Sequence, residues 1–160
     1  MVNSFLLKLR EAIERVAPSA ETVAQREAGA FQAARCGLLM EVARLDSPNI
    51  DRKREAVAVA MRERFSLPET ELAPMIADAQ KSENRLTSYF EPVALLNRRL
   101  SPTEKVTFIE QLWRVAVADG DIDAYEDDLV RKLADLLYVE HADFILAKHR
   151  VLEKTQTLGA

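Results

Sequence analysis

The fold is decided by the stretch Leu112-Trp-Arg-Val-Ala-Val-Ala-Asp-Gly-Asp-Ile-Asp-Ala-Tyr-Glu-Asp-Asp128. Its opening residues continue a run in which Val106, Ile109, Leu112, Trp113 and Ala116 recur at helical spacing, the signature of an amphipathic helix. Asp123, followed three residues on by Glu126, is a helix-start signal, and Leu129, Leu133, Leu136 and Leu137 supply the next apolar face. Between the two lies a tight acidic loop in which Gly120 permits a positive φ. The stretch therefore reads as helix, loop, helix.

Working outward, Ser101-Pro-Thr-Glu104 opens the first of these helices: Ser101 caps, Pro102 suits the first helical position and Glu104 reaches back as the capping-box acid. Upstream, the periodicity predicts a long helix over 20–44 with Phe31, Leu38 and Val42 inward, and one over 51–65 with Val57, Ala60 and Met61 inward. It predicts a helix over 68–86 that Pro74 either delays or kinks, and a short one over 89–100. A last helix is expected over 142–154. No stretch alternates apolar and polar residues with β-branched enrichment, so the expected class is all-α: a compact bundle of about seven to eight helices.

Leu39-Met-Glu-Val-Ala-Arg-Leu-Asp46 matches Leu112-Trp-Arg-Val-Ala-Val-Ala-Asp119, and each is followed by an Ile-Asp pair (Ile50-Asp51, Ile122-Asp123) and a further helix. This predicts an internal helix–loop–helix duplication within a single domain of 1–160, with pseudo-repeats over about 30–68 and 103–140. Aligned on the Ile-Asp pairs, with one residue inserted in the first loop, Arg54 stands where Glu126 stands. Ser47-Pro48 replaces the loop glycine, and Arg52, Lys53 and Arg54 neutralise Asp51 and Glu55, so no cation site is expected in the first unit.

A chain of 160 residues with 48% hydrophobic and 30% charged residues suits a folded domain and is too broken by charge for a membrane span. The formal charge of −4 argues against a nucleic-acid partner, which would need a positive surface. Cys36 is the only cysteine, which excludes an intrachain disulfide and a thiolate zinc site and fits a cytoplasmic location. Phe5, Leu6, Leu9, Ile13 and Val16 form one stripe, interrupted on its other faces by Lys8, Arg10, Glu11 and Glu14. It reads as a first helix docked on the core, with membrane contact as the other use of such a stripe. His141 and His149 have no zinc-ligand spacing, and there is no phosphate-binding glycine loop or nucleophile motif, so no enzyme activity is expected.

The chemistry worth following is in the loop, where Asp119, Asp121, Asp123, Glu126, Asp127 and Asp128 place six carboxylates within ten residues. Capping and the helix dipole explain Asp123, Glu126 and Asp127. They leave Asp119 and Asp121 in surplus, and crowded like charges call for something positive. A hard divalent cation (Ca²⁺, Mg²⁺ or Mn²⁺) held by Asp119, Asp121, Asp123 and Glu126 would meet that need, and so would a basic surface on a partner protein. An EF-hand is excluded, because Ala124 and Val130 stand where its glycine and bidentate glutamate belong.

The run Val115-Ala-Val-Ala-Asp-Gly-Asp-Ile-Asp-Ala-Tyr-Glu126, with the helix behind it ending in Leu-Leu-Tyr-Val139, resembles the signature of TerB-like domains. These comprise the tellurite-resistance TerB proteins and relatives such as the N-terminal segment of the co-chaperone DjlA. Ala118, Asp119, Gly120, Ile122 and Glu126 carry the resemblance. It implies an internally duplicated helical bundle without catalytic activity and a cytoplasmic stress-response role. It also implies divalent-cation binding at the acidic loop and a partner protein in membrane-linked complexes, the chain itself not being an integral membrane protein. The first helix and the tail from Thr155 fall outside it.

Overall fold

The computed structural model describes residues 5–6, 8–9, 20–44 and 50–159. Among the described residues there are seven α-helices and no strand: α1 (Ala20–Arg44), α2 (Ile50–Arg64), α3 (Glu69–Gln80), α4 (Phe90–Arg99), α5 (Pro102–Ala116), α6 (Ala124–Leu136) and α7 (His141–Gly159). A 3₁₀ turn, Ser82–Asn84, separates α3 from α4. The all-α expectation holds. The chain divides into two compact units, 1–32 and 33–160.

In the first unit Phe5, Leu6 and Leu9 of the N-terminal stripe are exposed. Ile13 and Val16, the rest of that stripe, lie outside the described residues. None of the described helices is long and apolar enough to cross a membrane.

The second unit is organised around α5. Its start is the capping box read from sequence: the Glu104 amide donates to Ser101 Oγ at 3.2 Å and the Ser101 amide to Glu104 Oε1 at 3.1 Å, with Pro102 in the first turn. From that start the helix packs against α2, α6 and α7. It is therefore buried on most of its circumference, and Phe108, Ile109, Leu112, Trp113, Val115 and Ala116 have no exposed surface. A helix apolar on so much of its circumference is stable only when surrounded, which fixes its central place. Trp113 meets Phe144 of α7 with ring centroids 5.4 Å apart, while Lys148 Nζ lies 4.9 Å from the Trp113 ring centre.

Three expectations are refined. Helix α3 runs from Glu69 through Pro74, so that proline does not delay its start, and it ends at Gln80 instead of near Leu86. Here Lys81 adopts extended backbone and its amide bonds Asp78 O at 3.2 Å, turning the chain into the 3₁₀ segment. Val130 and Ala134 are buried on α6, whereas Leu136 is 39% exposed: the inward stripe lies one step round from the all-leucine one. The last helix is longer than expected, reaching Gly159.

Helix α6 ends in a Schellman turn, with the Val139 amide bonding Ala134 O at 2.9 Å and the Tyr138 amide bonding Asp135 O at 3.1 Å. The left-handed position of that turn, usually glycine, is held by Tyr138 with φ 58°. Its ring is 81% exposed, so little burial offsets the backbone strain. Tyr138→Gly is expected to relieve about 1 kcal/mol and raise the Tm by about 2–4 °C, read by thermal denaturation; a lowered Tm would refute this account.

Candidate functional site

Helix α2 begins after the loop aspartate Asp46 and turns Lys53, Val57, Ala60 and Met61 inward. Those positions lie on one helical face, so the lysine is carried into the core by the same periodicity that buries its apolar neighbours. Helix α6 does the same with Glu126, Leu129, Val130, Leu133 and Ala134. The two charged residues meet: Lys53 Nζ donates to Glu126 Oε1, and both side chains are fully buried. Asp119 Oδ2, with a side chain only 4% exposed, lies 3.8 Å from the same ammonium. The cation that the acidic loop needs is thus supplied from within the chain, at least for two of its carboxylates.

This corrects the register read from sequence. Lys53 and Glu126 are 73 positions apart, the separation that also aligns Leu39 with Leu112 and Asp46 with Asp119. On that register Val57, Ala60 and Met61 fall on Val130, Leu133 and Ala134, all buried. That spacing needs no inserted residue, and it is Lys53, not Arg54, that meets Glu126. Arg54 points outward and donates to Asp51 Oδ1 at 2.6 Å and to Gln80 Oε1 at 3.0 Å. Lys53 does not neutralise Asp51 or Glu55 as expected, because the helical face that holds it looks into the core.

The remaining loop acids divide by role. Asp123 caps α6, its Oδ1 accepting the Glu126 amide at 2.8 Å. Asp127 accepts from Lys148 of α7 at 2.6 Å and from Arg131 at 3.2 Å, tying α6 to α7. Asp119 Oδ1 also accepts the Asp121 amide at 3.3 Å, which folds the loop back over Gly120, at φ 103°. The side chains of Asp121 and Asp128 are left facing solvent with no ion pair among the described residues, and Tyr125 beside them is 75% exposed. The surplus is therefore Asp121 and Asp128, since Asp119 is spent on Lys53.

Of the four acids named from sequence, Asp121 is exposed, Asp123 caps α6, and Asp119 and Glu126 converge on the Lys53 ammonium. Among the described residues no group of three or more His, Cys, Asp or Glu side chains is disposed to hold a metal ion. His141 and His149 are both exposed on α7, without a ligand partner between them.

Burial pushes the Glu126 carboxyl above its ordinary range, and Asp123 and Asp119 push the same way, against the bond and charge of Lys53. For Asp127 burial also acts upward, but the bonds and charges of Lys148 and Arg131 together outweigh it and hold the group below its ordinary range. Burial alone drives the Cys36 thiol up to about 12, so it is not a nucleophile.

A second buried polar contact joins α1, α5 and α2. Arg35 of α1, 1% exposed, donates from Nη2 to Gln111 Oε1 at 2.6 Å and lies 4.8 Å over the Phe108 ring. Gln111 Nε2 in turn donates to Ala60 O of α2 at 3.2 Å. Burial and the neighbouring Arg64 lower the Arg35 pKa to about 10. The sequence reading misplaced Lys53 and passed over Arg35 and Gln111. The available signal was their spacing: each sits on the apolar stripe of its helix, where a polar residue needs a partner.

A bundle of α-helices with an acidic interhelical loop, its inner carboxylates closed on a lysine from another helix, defines a small helical module. The chain belongs to the tellurite resistance protein TerB family, whose model matches residues 32–149. Neither curated proteins nor solved structures give a significant match.

Removing one partner of a buried pair leaves the other charge uncompensated, so Lys53→Met is expected to cost about 3–5 kcal/mol in urea denaturation. Adding Glu126→Leu to it should recover most of that loss; a double variant no better than the single one would disprove the pairing. For Asp127 the folded pKa is the lower one, so its contribution is present above the unfolded value of about 3.9 and is lost as pH falls through the folded value. Asp127→Asn should therefore flatten the stability–pH curve below about pH 4, and an unchanged acid limb would contradict the assignment.

Proposed function

We propose that the chain is a non-enzymatic protein-interaction module of a cytoplasmic stress response, and that it presents its acidic interhelical loop to a basic surface of a partner protein. One observation carries this reading. After Lys53, the helix cap and Lys148 have absorbed Asp119, Glu126, Asp123 and Asp127, the side chains of Asp121 and Asp128 remain exposed around Tyr125. Carboxylates flanking a solvent-facing tyrosine suit recognition of Lys or Arg, with the ring as anchor and the charges accelerating encounter. The absence of nucleophile and base arrangements in the sequence supports a binding role over a catalytic one.

The experiment is a pull-down from native cytoplasm at low salt, comparing the natural chain with Asp121→Lys/Asp128→Lys. A partner recovered reproducibly by the natural chain, lost by the variant and released at about 1 M salt, where the Debye length shrinks to about 3 Å, is the expected result. Recovery of nothing reproducible, or equal recovery by the variant, would overturn it.

The alternative is a regulatory module that binds a divalent cation through Asp119, Asp121, Asp123 and Glu126. What favours it is Glu126 Oε2, buried and accepting no hydrogen bond among the described residues. Against it, Lys53 competes for the same carboxylates. Thermal melts with millimolar Ca²⁺, Mg²⁺, Mn²⁺ and Zn²⁺ separate the readings. A midpoint raised by an ion and insensitive to it in Asp119→Asn supports the cation module, and no shift with any ion removes it.

A further inference from the structure

A wide concavity of the second unit lies away from the acidic loop. Residues 86–90, the outward face of α4 and the end of α6 border an open groove of about 740 Å³. Tyr89, Phe90, Val93 and Tyr138 give it an apolar lining, and Arg98 and Lys132 are its charged groups. No Asp or Glu lines it, in a chain that carries 26 acids against 22 bases. Lys132 Nζ lies 5.3 Å from the Tyr89 ring centre, and neither Lys132 nor Arg98 has a carboxylate partner among the described residues. The charge left open in the groove is positive.

Its aromatics are held out at some cost. Phe90 is 78% and Tyr138 81% exposed, and Tyr138 occupies the left-handed position where glycine is unstrained. Neither exposure is explained by core packing, and strain kept at an exposed position marks a place for function. Exposed aromatic anchors around an apolar trough, flanked by unneutralised cations, match the chemistry of a binding hot spot. A recessed shape favours a protruding segment over a bilayer, which is engaged by an outward apolar face.

We propose that this groove docks a short segment of a partner protein in which one or two apolar side chains are flanked by Asp or Glu. The apolar side chains fill the trough between Phe90 and Tyr138, and the carboxylates meet Arg98 and Lys132. The proposal rests on the reading of the chain as an interaction module but assigns this contact to residues outside the acidic loop, and to a partner feature of opposite charge.

The test pans a phage-displayed library of random peptides against the full chain, then measures fluorescein-labelled copies of the enriched peptides by anisotropy. Enriched peptides should carry Asp or Glu beside leucine or an aromatic residue. Phe90→Ser and Lys132→Glu should each weaken them about ten-fold or more, as should Tyr138→Gly, whose fold is retained, while Asp121→Lys leaves binding unchanged. Changing the peptide acids to lysine should restore binding to Lys132→Glu. No enrichment, or enriched peptides indifferent to the groove variants, overturns the proposal. Peptides lost only with Asp121→Lys would remove the groove while leaving the interaction-module reading intact. Binding to phosphatidylglycerol vesicles that the groove variants abolish, with no peptide bound, would make this a lipid surface and equally overturn it.

Discussion

A carboxylate brought into the middle of a helical bundle has to find a cation there, and Lys53 is that cation for Glu126. The pair is possible only if α2 and α6 approach with their inward faces in register, so it constrains the two helices as much as it joins them. Apolar burial supplies most of the driving force for such a bundle, but it is tolerant of sliding and rotation. A fully buried lysine and glutamate are not tolerant: displaced by one helical step, each would face hydrocarbon alone. Lys53 also draws in Asp119, and through the Asp121 amide on Asp119 the conformation of the loop follows from the same contact.

Surface and core therefore divide the acidic stretch between them. The inner carboxylates serve the fold, and those left outside are the ones that can meet a partner. Asp127 stands between, half in contact with Lys148, whose ammonium also lies against the Trp113 ring. Those contacts tie α5, α6 and α7 together beneath the exposed acids of the loop.

Much of this was legible in the sequence. The helices, the Ser101–Glu104 capping box, the Asp123 cap and the burial of Trp113 follow from local patterns whose physics is contained within a few neighbouring residues. The family resemblance, carried by Ala118, Asp119, Gly120, Ile122 and Glu126, agrees with the match over residues 32–149. What local patterns could not supply was the destination of Lys53. Among Arg52, Lys53 and Arg54 the three cations look alike, and neighbouring acids such as Asp51 offer each a nearby partner. Only the tertiary approach of a second helix singles out the middle one. The place of Asp119 was misjudged for the same reason: its partner lies 66 positions away, outside any window of periodicity.

The pairing of Lys53 with Glu126 has a further consequence for assembly. Lys53 and Glu126 are each carried on the inward face of a helix, so two copies of α2, or two of α6, brought together in this arrangement would set lysine against lysine or glutamate against glutamate. Each homotypic combination buries like charges; only the mixed one is neutral. The pair thereby disfavours docking of either helix on its own counterpart in a second copy, while leaving the mixed pairing neutral. Opposite charges at their meeting point make α2 and α6 complements, and so decide which helix each can face across the core.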